Sequence, residues 1–220
     1  MRKYISTVLI LLLLSGCAST SSLNKDRSSM LSILENSEVC CSEIRGLNFK
    51  VIDELPYSSS NLSFATHELI TQDSDIYIFD GFKSYVASFD IPGSGKKRLL
   101  RVNSRQITDT FGAYRGGFFL PTVRVYDSEF NELLVSSDFK FEEEGQNALK
   151  GAGVQGSVTV PENGKYVVIH TTGRDLSRYT VFGWTGKRTC NATNGVPRCG
   201  NKVSIPGIPE GALLISIELI

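Results

Sequence analysis

The sequence predicts an all-β fold, an antiparallel β-sandwich of jelly-roll-like kind, with a short amino-terminal helix behind a signal and tether. Three observations carry that prediction. After Cys41 the chain becomes a succession of short apolar and β-branched runs punctuated by glycine, proline and aspartate, the pattern of strands joined by turns. No long helical periodicity alternates with those runs, so a parallel α/β fold fits poorly. Composition is that of an ordinary folded protein, with 41% hydrophobic and 21% charged residues in 220, and no proline or acidic excess of the kind that opposes folding.

The elements follow from the amino end. Arg2 and Lys3 precede an apolar stretch from Val8 to Leu14, and the small residues Ser15 and Gly16 lead to Cys17; this is the layout of a signal peptide. The stretch is well short of the roughly 20 apolar residues that span a bilayer. Leu14-Ser15-Gly16-Cys17 resembles the box of bacterial lipoproteins. That resemblance implies cleavage before Cys17, diacylglyceryl on its sulfur and a third acyl chain on the new amino terminus. Several chains anchor effectively irreversibly, at about 0.8 kcal/mol per buried methylene. In enterobacterial lipoproteins an aspartate after the cysteine favours inner-membrane retention, so Ala18 implies the outer membrane, facing the periplasm. Residues 1–16 are thus read as signal, 17–36 as a lipidated Ser-rich tether and short helix, and 37–220 as one β-sandwich domain. Met30, Leu31, Ile33 and Leu34 recur at helical spacing and place the helix at Asp26 to Asn36, packed on the domain.

Strands are expected at Ile76 to Phe79, Tyr85 to Ile91, Leu99 to Asn103, Thr122 to Tyr126, Ser157 to Val160, Tyr166 to Thr171 and Leu213 to Leu219. Leu213, Ile215, Ile217 and Leu219 alternate with Leu214, Ser216 and Glu218, the period of a strand with one buried face. Tyr166-Val167-Val168-Ile169 is apolar on both faces and reads as a central strand. Reversals are expected at Asp80-Gly81, Pro92-Gly93-Ser94-Gly95, Asp127-Ser128-Glu129, Glu162-Asn163-Gly164 and Pro206-Gly207.

Cysteine usage suits an oxidising compartment: without Cys17 the remaining four are Cys40, Cys41, Cys190 and Cys199. Pairing of Cys190 with Cys199 is preferred, because Asn194-Gly195 and Pro197 supply turn chemistry between them. Cys40 and Cys41 then form a vicinal bond or stay as thiols; the competing arrangement ties each of them to the carboxy-terminal pair. No C-x-x-C and no neighbouring histidine marks a metal site. Loss of Arg2 and Lys3 leaves 21 basic against 23 acidic residues, a balance of −2, which argues against nucleic acid as a partner.

Motifs that look chemical fail on their essential parts. Gly151-Ala152-Gly153-Val154-Gln155-Gly156 spells the dinucleotide fingerprint but is followed by strand rather than helix, so the glycines are read as a flexible loop. His67-Glu68 has Thr71 where a zinc protease needs its second histidine. His170 shares a strand face with Tyr166 and Val168 and reads as a core or strand-edge histidine. Asp127, Glu129 and Asn131 alternate as calcium ligands do, but without the glycine and distal glutamate of an EF-hand, so a solvated hairpin turn is expected. Glu142 to Glu144 reads as a solvated edge. No serine sits in a nucleophile elbow. The expectation is a protein without catalytic residues, metal or cofactor.

Tyr179, Phe182 and Trp184 lie together before the Cys190 to Cys199 loop, with Arg174, Asp175 and Arg178 beside them. Exposed rings with polar neighbours suit sugar faces, whereas buried ones are core anchors. Tyr179, Trp184, Arg174 and Arg178 are therefore the candidate ligand contacts.

The segments FKSYVASFDIP at 82–92, PTVRVYDSEF at 121–130, KYVVIHTTGRDL at 165–176 and IPEGALLISIEL at 208–219 resemble, in that order, the periplasmic protein family of the maltose operon. The resemblance spans residues 45 to 220. It implies an exported β-rich domain linked by gene context to maltose or maltodextrin uptake, with no catalytic residue to transfer. Cys17 and the adjacent Cys40 and Cys41 depart from the family pattern. Two functions are expected from these readings: an accessory lipoprotein of carbohydrate transport binding a glycan or a transport component, or a structural or assembly lipoprotein binding another envelope protein.

Overall fold

The structure, a computed structural model, describes residues 27–52, 54–55, 66–91, 95–105, 117–142, 153–177, 179–182 and 203–220. Its elements are α1 (Arg27–Asn36), a 3-10 turn (Ile44–Gly46), β1 (Lys50–Val51), β2 (Glu54–Leu55), β3 (Thr66–Ile70), β4 (Ile76–Phe79), β5 (Phe82–Tyr85), β6 (Ala87–Asp90), β7 (Arg98–Arg105), β8 (Thr122–Tyr126), β9 (Glu132–Ser136), β10 (Lys140–Glu142), β11 (Gly153–Val160), β12 (Tyr166–His170), α2 (Gly173–Ser177), β13 (Tyr179–Phe182), β14 (Val203–Pro206) and β15 (Gly211–Leu219). Among the described residues no helix is long and apolar enough to cross a membrane.

Two sheets carry the fold. The first runs β1-β6-β12-β8-β9; the second runs β10-β11-β7-β15-β2, with β3 also paired to β15. Hairpins β4-β5 and β13-β14 stand apart. Side chains alternate across each strand, and one core cluster draws on the inner faces of both sheets. Phe89, Val123, Val125, Val167 and Ile169 come from the first, Leu100, Val102, Val158, Val160, Leu213, Ile215 and Ile217 from the second. The protein is therefore all-β and sandwich-like. Each such side chain contributes about 1.5–3 kcal/mol when fully buried, so the alternation in the sequence is the main determinant of the layers. Among the described residues the named strands pair antiparallel except at β1 with β6 and β2 with β15, two-residue parallel contacts at the sheet edges, and Phe118 and Gly207 form an isolated parallel bridge.

The expected central strand sits in the middle of the first sheet as β12, with Val167, Val168 and Ile169 buried. The single strand expected over Tyr85 to Ile91 is two. Val86 donates its N–H to Asp75 O at 2.9 Å, which takes the chain out of the β4-β5 hairpin and into the first sheet. The glycine loop is also corrected, because Gly153 and Gly156 lie within β11. A Cβ at Gly156 would stand 2.7 Å from the Phe139 ring, and one at Gly153 would collide with the Asn103 side chain. Gly153 permits the close approach of β7, and Gly156 that of the segment leading into β10.

Helix α1 covers the sandwich through Met30 and Leu34, four residues apart and both buried. Lys83 Nζ holds its carboxy-terminal end, donating to Glu35 O at 2.6 Å and to Ser37 O, one residue past the helix, at 2.7 Å. At its start the Arg27 guanidinium donates from Nε to Gly207 O at 3.0 Å and from Nη2 to Leu176 O.

Candidate functional site

The outer face of the first sheet is roofed by residues 41–49 and by the β4-β5 hairpin. Leu47, Phe79, Val86, Tyr126 and Val168 are buried there, with Cys41, Ile44, Phe49, Tyr77 and Tyr166 packed half-buried around them. The face has a polar, buried end and an aromatic, half-exposed end.

Arg124 organises the polar end. Its Nε donates to His170 Nε2 at 3.1 Å, Nη1 to Glu132 Oε2 at 2.7 Å and Nη2 to Asp80 Oδ2 at 2.6 Å. The guanidinium thus ties β8, β9, β12 and the β4-β5 turn together. Asp80 and Gly81 form that turn with φ of 51° and 85°, the left-handed pair that a two-residue Asp-Gly hairpin requires. Because His170 Nε2 accepts from Arg124, its proton resides on Nδ1, which donates to Thr171 O at 3.1 Å. Phe79 stacks on the imidazole at 3.7 Å and 14°. Burial pushes the His170 pKa down to about 4, and the Arg124 charge works in the same direction. Its basic lone pair is occupied by the Arg124 donor, so the imidazole serves as a fixed acceptor. Burial also pushes Tyr126 up to about 12, with Glu132 adding to the effect.

The aromatic end is built on a strained turn. Between β8 and β9, Phe130 N–H donates to Asp127 O at 3.1 Å, and Asp127 N–H donates to Asn131 O at 3.0 Å. Asp127 Oδ1 accepts from the amides of Glu129 at 2.8 Å and Asn131 at 2.9 Å, and Oδ2 accepts from Asn131 Nδ2 at 3.0 Å. The Asn131 bonds hold the Asp127 carboxyl below its ordinary range, and they commit both oxygens to the loop. That loop ends on Phe130 at φ 66°, where glycine is the usual residue and a bulky ring costs about 1–3 kcal/mol.

What the strain positions is a ring. Phe130 lies parallel to Tyr166 at 4.3 Å and 5°, and both meet Phe49, at 5.7 Å and 4.7 Å respectively. The Arg45 guanidinium is 5.9 Å from the Phe130 centroid and Lys165 Nζ 5.8 Å from that of Tyr166, within cation-π reach. Lys165 also pairs with Asp90, and Arg45 with Glu43 at 2.8 Å. Half-exposed rings bordered by two cations and two carboxylates form a surface with an apolar centre and a polar rim, suited to a ligand carrying both kinds of group.

Of the residues picked from sequence, Cys41 borders this face, while Tyr179 and Arg174 lie on other elements. Cys17, Cys190, Cys199, Trp184 and Arg178 lie outside the described residues. Tyr179 opens β13, whose backbone pairs with Pro206; Arg174 is exposed on α2. Cys40 and Cys41 are bonded to each other. His67 is exposed on β3, and Glu68 is held by Lys50 at 2.5 Å. Among the described residues no three His, Cys, Asp or Glu side chains converge as a metal site requires. Phe49, Phe130, Tyr166 and Arg124 carry no local motif. The one available signal was Phe130, an aromatic placed where the turn after Asp127-Ser128-Glu129 calls for glycine or asparagine.

Fold and surface together define the class, a β-sandwich-like protein with a half-exposed aromatic cluster on the outer face of one sheet. No protein-family model matches the chain, and no curated protein matches it.

Proposed function

We propose that this chain is a non-enzymatic lipoprotein of the cell envelope, anchored through acylated Cys17 at the outer membrane, facing the periplasm, and binding a glycan there as an accessory to maltodextrin-type carbohydrate transport. The observation that carries the binding role is Phe130, held at φ 66° and stacked on Tyr166 at 4.3 Å while only half-buried. Strained backbone angles persist where the surrounding structure holds them, and they cluster at functional sites. Pyranose rings present apolar CH faces and hydroxyl edges, which match the rings and the Arg45, Glu43, Lys165 and Asp90 rim. Isothermal calorimetry against maltodextrins, other oligosaccharides and peptidoglycan fragments tests it. The expected result is saturable heat with at least one of them, weakened at least tenfold, about 1.4 kcal/mol, by Phe130→Ala. Flat traces throughout remove the glycan.

An assembly role is favoured by a separate observation. Among the described residues β9 is the outer strand of its sheet, Val135 is 45% exposed, and Glu132 to Ser136 contain no lysine or proline guard. A strand of another envelope protein could extend the sheet at this edge. Photo-crosslinking in cells from position 135 is then expected to trap a defined protein, and the Val135→Lys variant to abolish the adduct. No reproducible adduct counts against assembly.

A further inference from the structure

The Cys40 to Cys41 bond joins neighbours in sequence, with Cα atoms 3.8 Å apart. A crosslink stabilises a fold mainly by closing a loop in the unfolded chain, about 3 kcal/mol for 15 residues. Between adjacent residues there is no loop to close. The bond therefore has little value as a staple, and its effect is local. Locally it is well placed to be reached and felt. Cys40 is exposed and its N–H is tied to Ile76 O at 2.9 Å. Cys41 is half-buried against the aromatic face. Gly46 packs so closely on it that a Cβ there would sit 2.6 Å from Cys41 Cβ. The pair is the footing of the turn that carries Arg45.

We propose that Cys40 and Cys41 form a reversible thiol-exchange site, opened by the dithiol of a thioredoxin-class reductant. A thiolate of the reductant attacks the sulfur of Cys40, the exposed member. The Cys40 to Cys41 bond breaks, and the Cys41 thiolate leaves and takes a proton from water. The reductant's second thiol, losing its proton, attacks the mixed disulfide and releases Cys40, which is protonated in turn. The reductant is oxidised by two electrons to its disulfide and the cysteine pair is reduced by two to the dithiol. Adjacency keeps the freed thiols at high effective concentration, so closure by an oxidant is as direct as opening. This inference stands on the geometry of the pair and does not rest on glycan binding.

The test is a dithiothreitol titration of the full chain in native buffer, quenched with iodoacetamide and digested with trypsin. The peptide Ser28 to Arg45 contains Cys40 and Cys41 and no other cysteine, so mass reports this pair separately from Cys190 and Cys199. Expected are no label without reductant, two labels with it in folded protein, reversal by oxidised dithiothreitol, and movement of the Gly46 amide resonance while those of β12 hold. The double variant Cys40→Ala/Cys41→Ala is expected to keep the urea midpoint of the wild type. Labelling without reductant, labelling only once urea has unfolded the protein, or a variant that unfolds at markedly lower urea would each overturn the proposal.

Discussion

Replacing Arg124 with methionine is expected to cost the fold about 2–3 kcal/mol, read as a fall in the urea midpoint of roughly 1 M for a slope near 2 kcal/mol/M. Methionine keeps the apolar stem of the side chain but not the guanidinium, whose Cζ lies 5.2 Å from the Phe79 ring centroid, so the loss reports the guanidinium's contacts together. Asp80 and Glu132 are 73% and 40% exposed, and ion pairs so placed contribute only about 0–1 kcal/mol each. The larger part comes from His170, fully buried, whose Nε2 loses its donor; a stranded buried acceptor costs about 1–3 kcal/mol. The double variant Arg124→Met/His170→Phe removes both partners and is expected to recover much of that loss. Additive losses in the two single variants and the double would show that the groups are not coupled.

Acid is expected to destabilise the protein through the same histidine, in a window set by burial. His170 titrates near pH 4 in the fold, against about 6.5 in an unfolded chain. The folded state resists the proton while the unfolded state accepts it between those values, so stability rises with pH across the window. The contribution is fully present above about pH 6.5 and is lost as pH falls through about 4. Its size is on the order of 3 kcal/mol, at about 1.4 kcal/mol per pH unit. Urea unfolding at pH 7 and pH 4 measures it, and His170→Phe is expected to flatten the difference. An equal pH dependence in wild type and variant would place the acid sensitivity elsewhere. Asp127, held below the ordinary carboxylate range by its own loop, loses its contribution at lower pH still, which keeps the two effects separable.

The layers of this fold were legible because their physics is local. Leu213, Ile215 and Ile217 alternate, Tyr166 to Ile169 is apolar throughout, and the turns at Asp80-Gly81 and Asp127 to Glu129 carry their own chemistry. β3 and β9 were missed because edge strands bury little and mix polar with apolar residues, as Thr66 to Ile70 and Glu132 to Ser136 do. The two-residue strands β1 and β2 have too few side chains for any period. Gly153 and Gly156 read as a loop because their reason, the Asn103 side chain of β7 and the Phe139 side chain just before β10, comes from distant parts of the sequence. The aromatic surface was illegible for the same cause. Phe49, Phe130 and Tyr166 are separated by 81 and 36 positions, and only sheet order brings them together. Neighbouring aromatics in sequence drew attention to Tyr179 and Trp184 instead.

The fastening of α1 has a mechanical consequence. Among the described residues, a pull from the amino-terminal side meets Arg27 first, whose guanidinium is hooked to the carbonyls of Leu176 and Gly207. At the far end of the helix the load passes to Lys83 and its grip on Glu35 and Ser37. Helix and hooks act as a strain relief, so the sheets bear tension only after α1 has been peeled away.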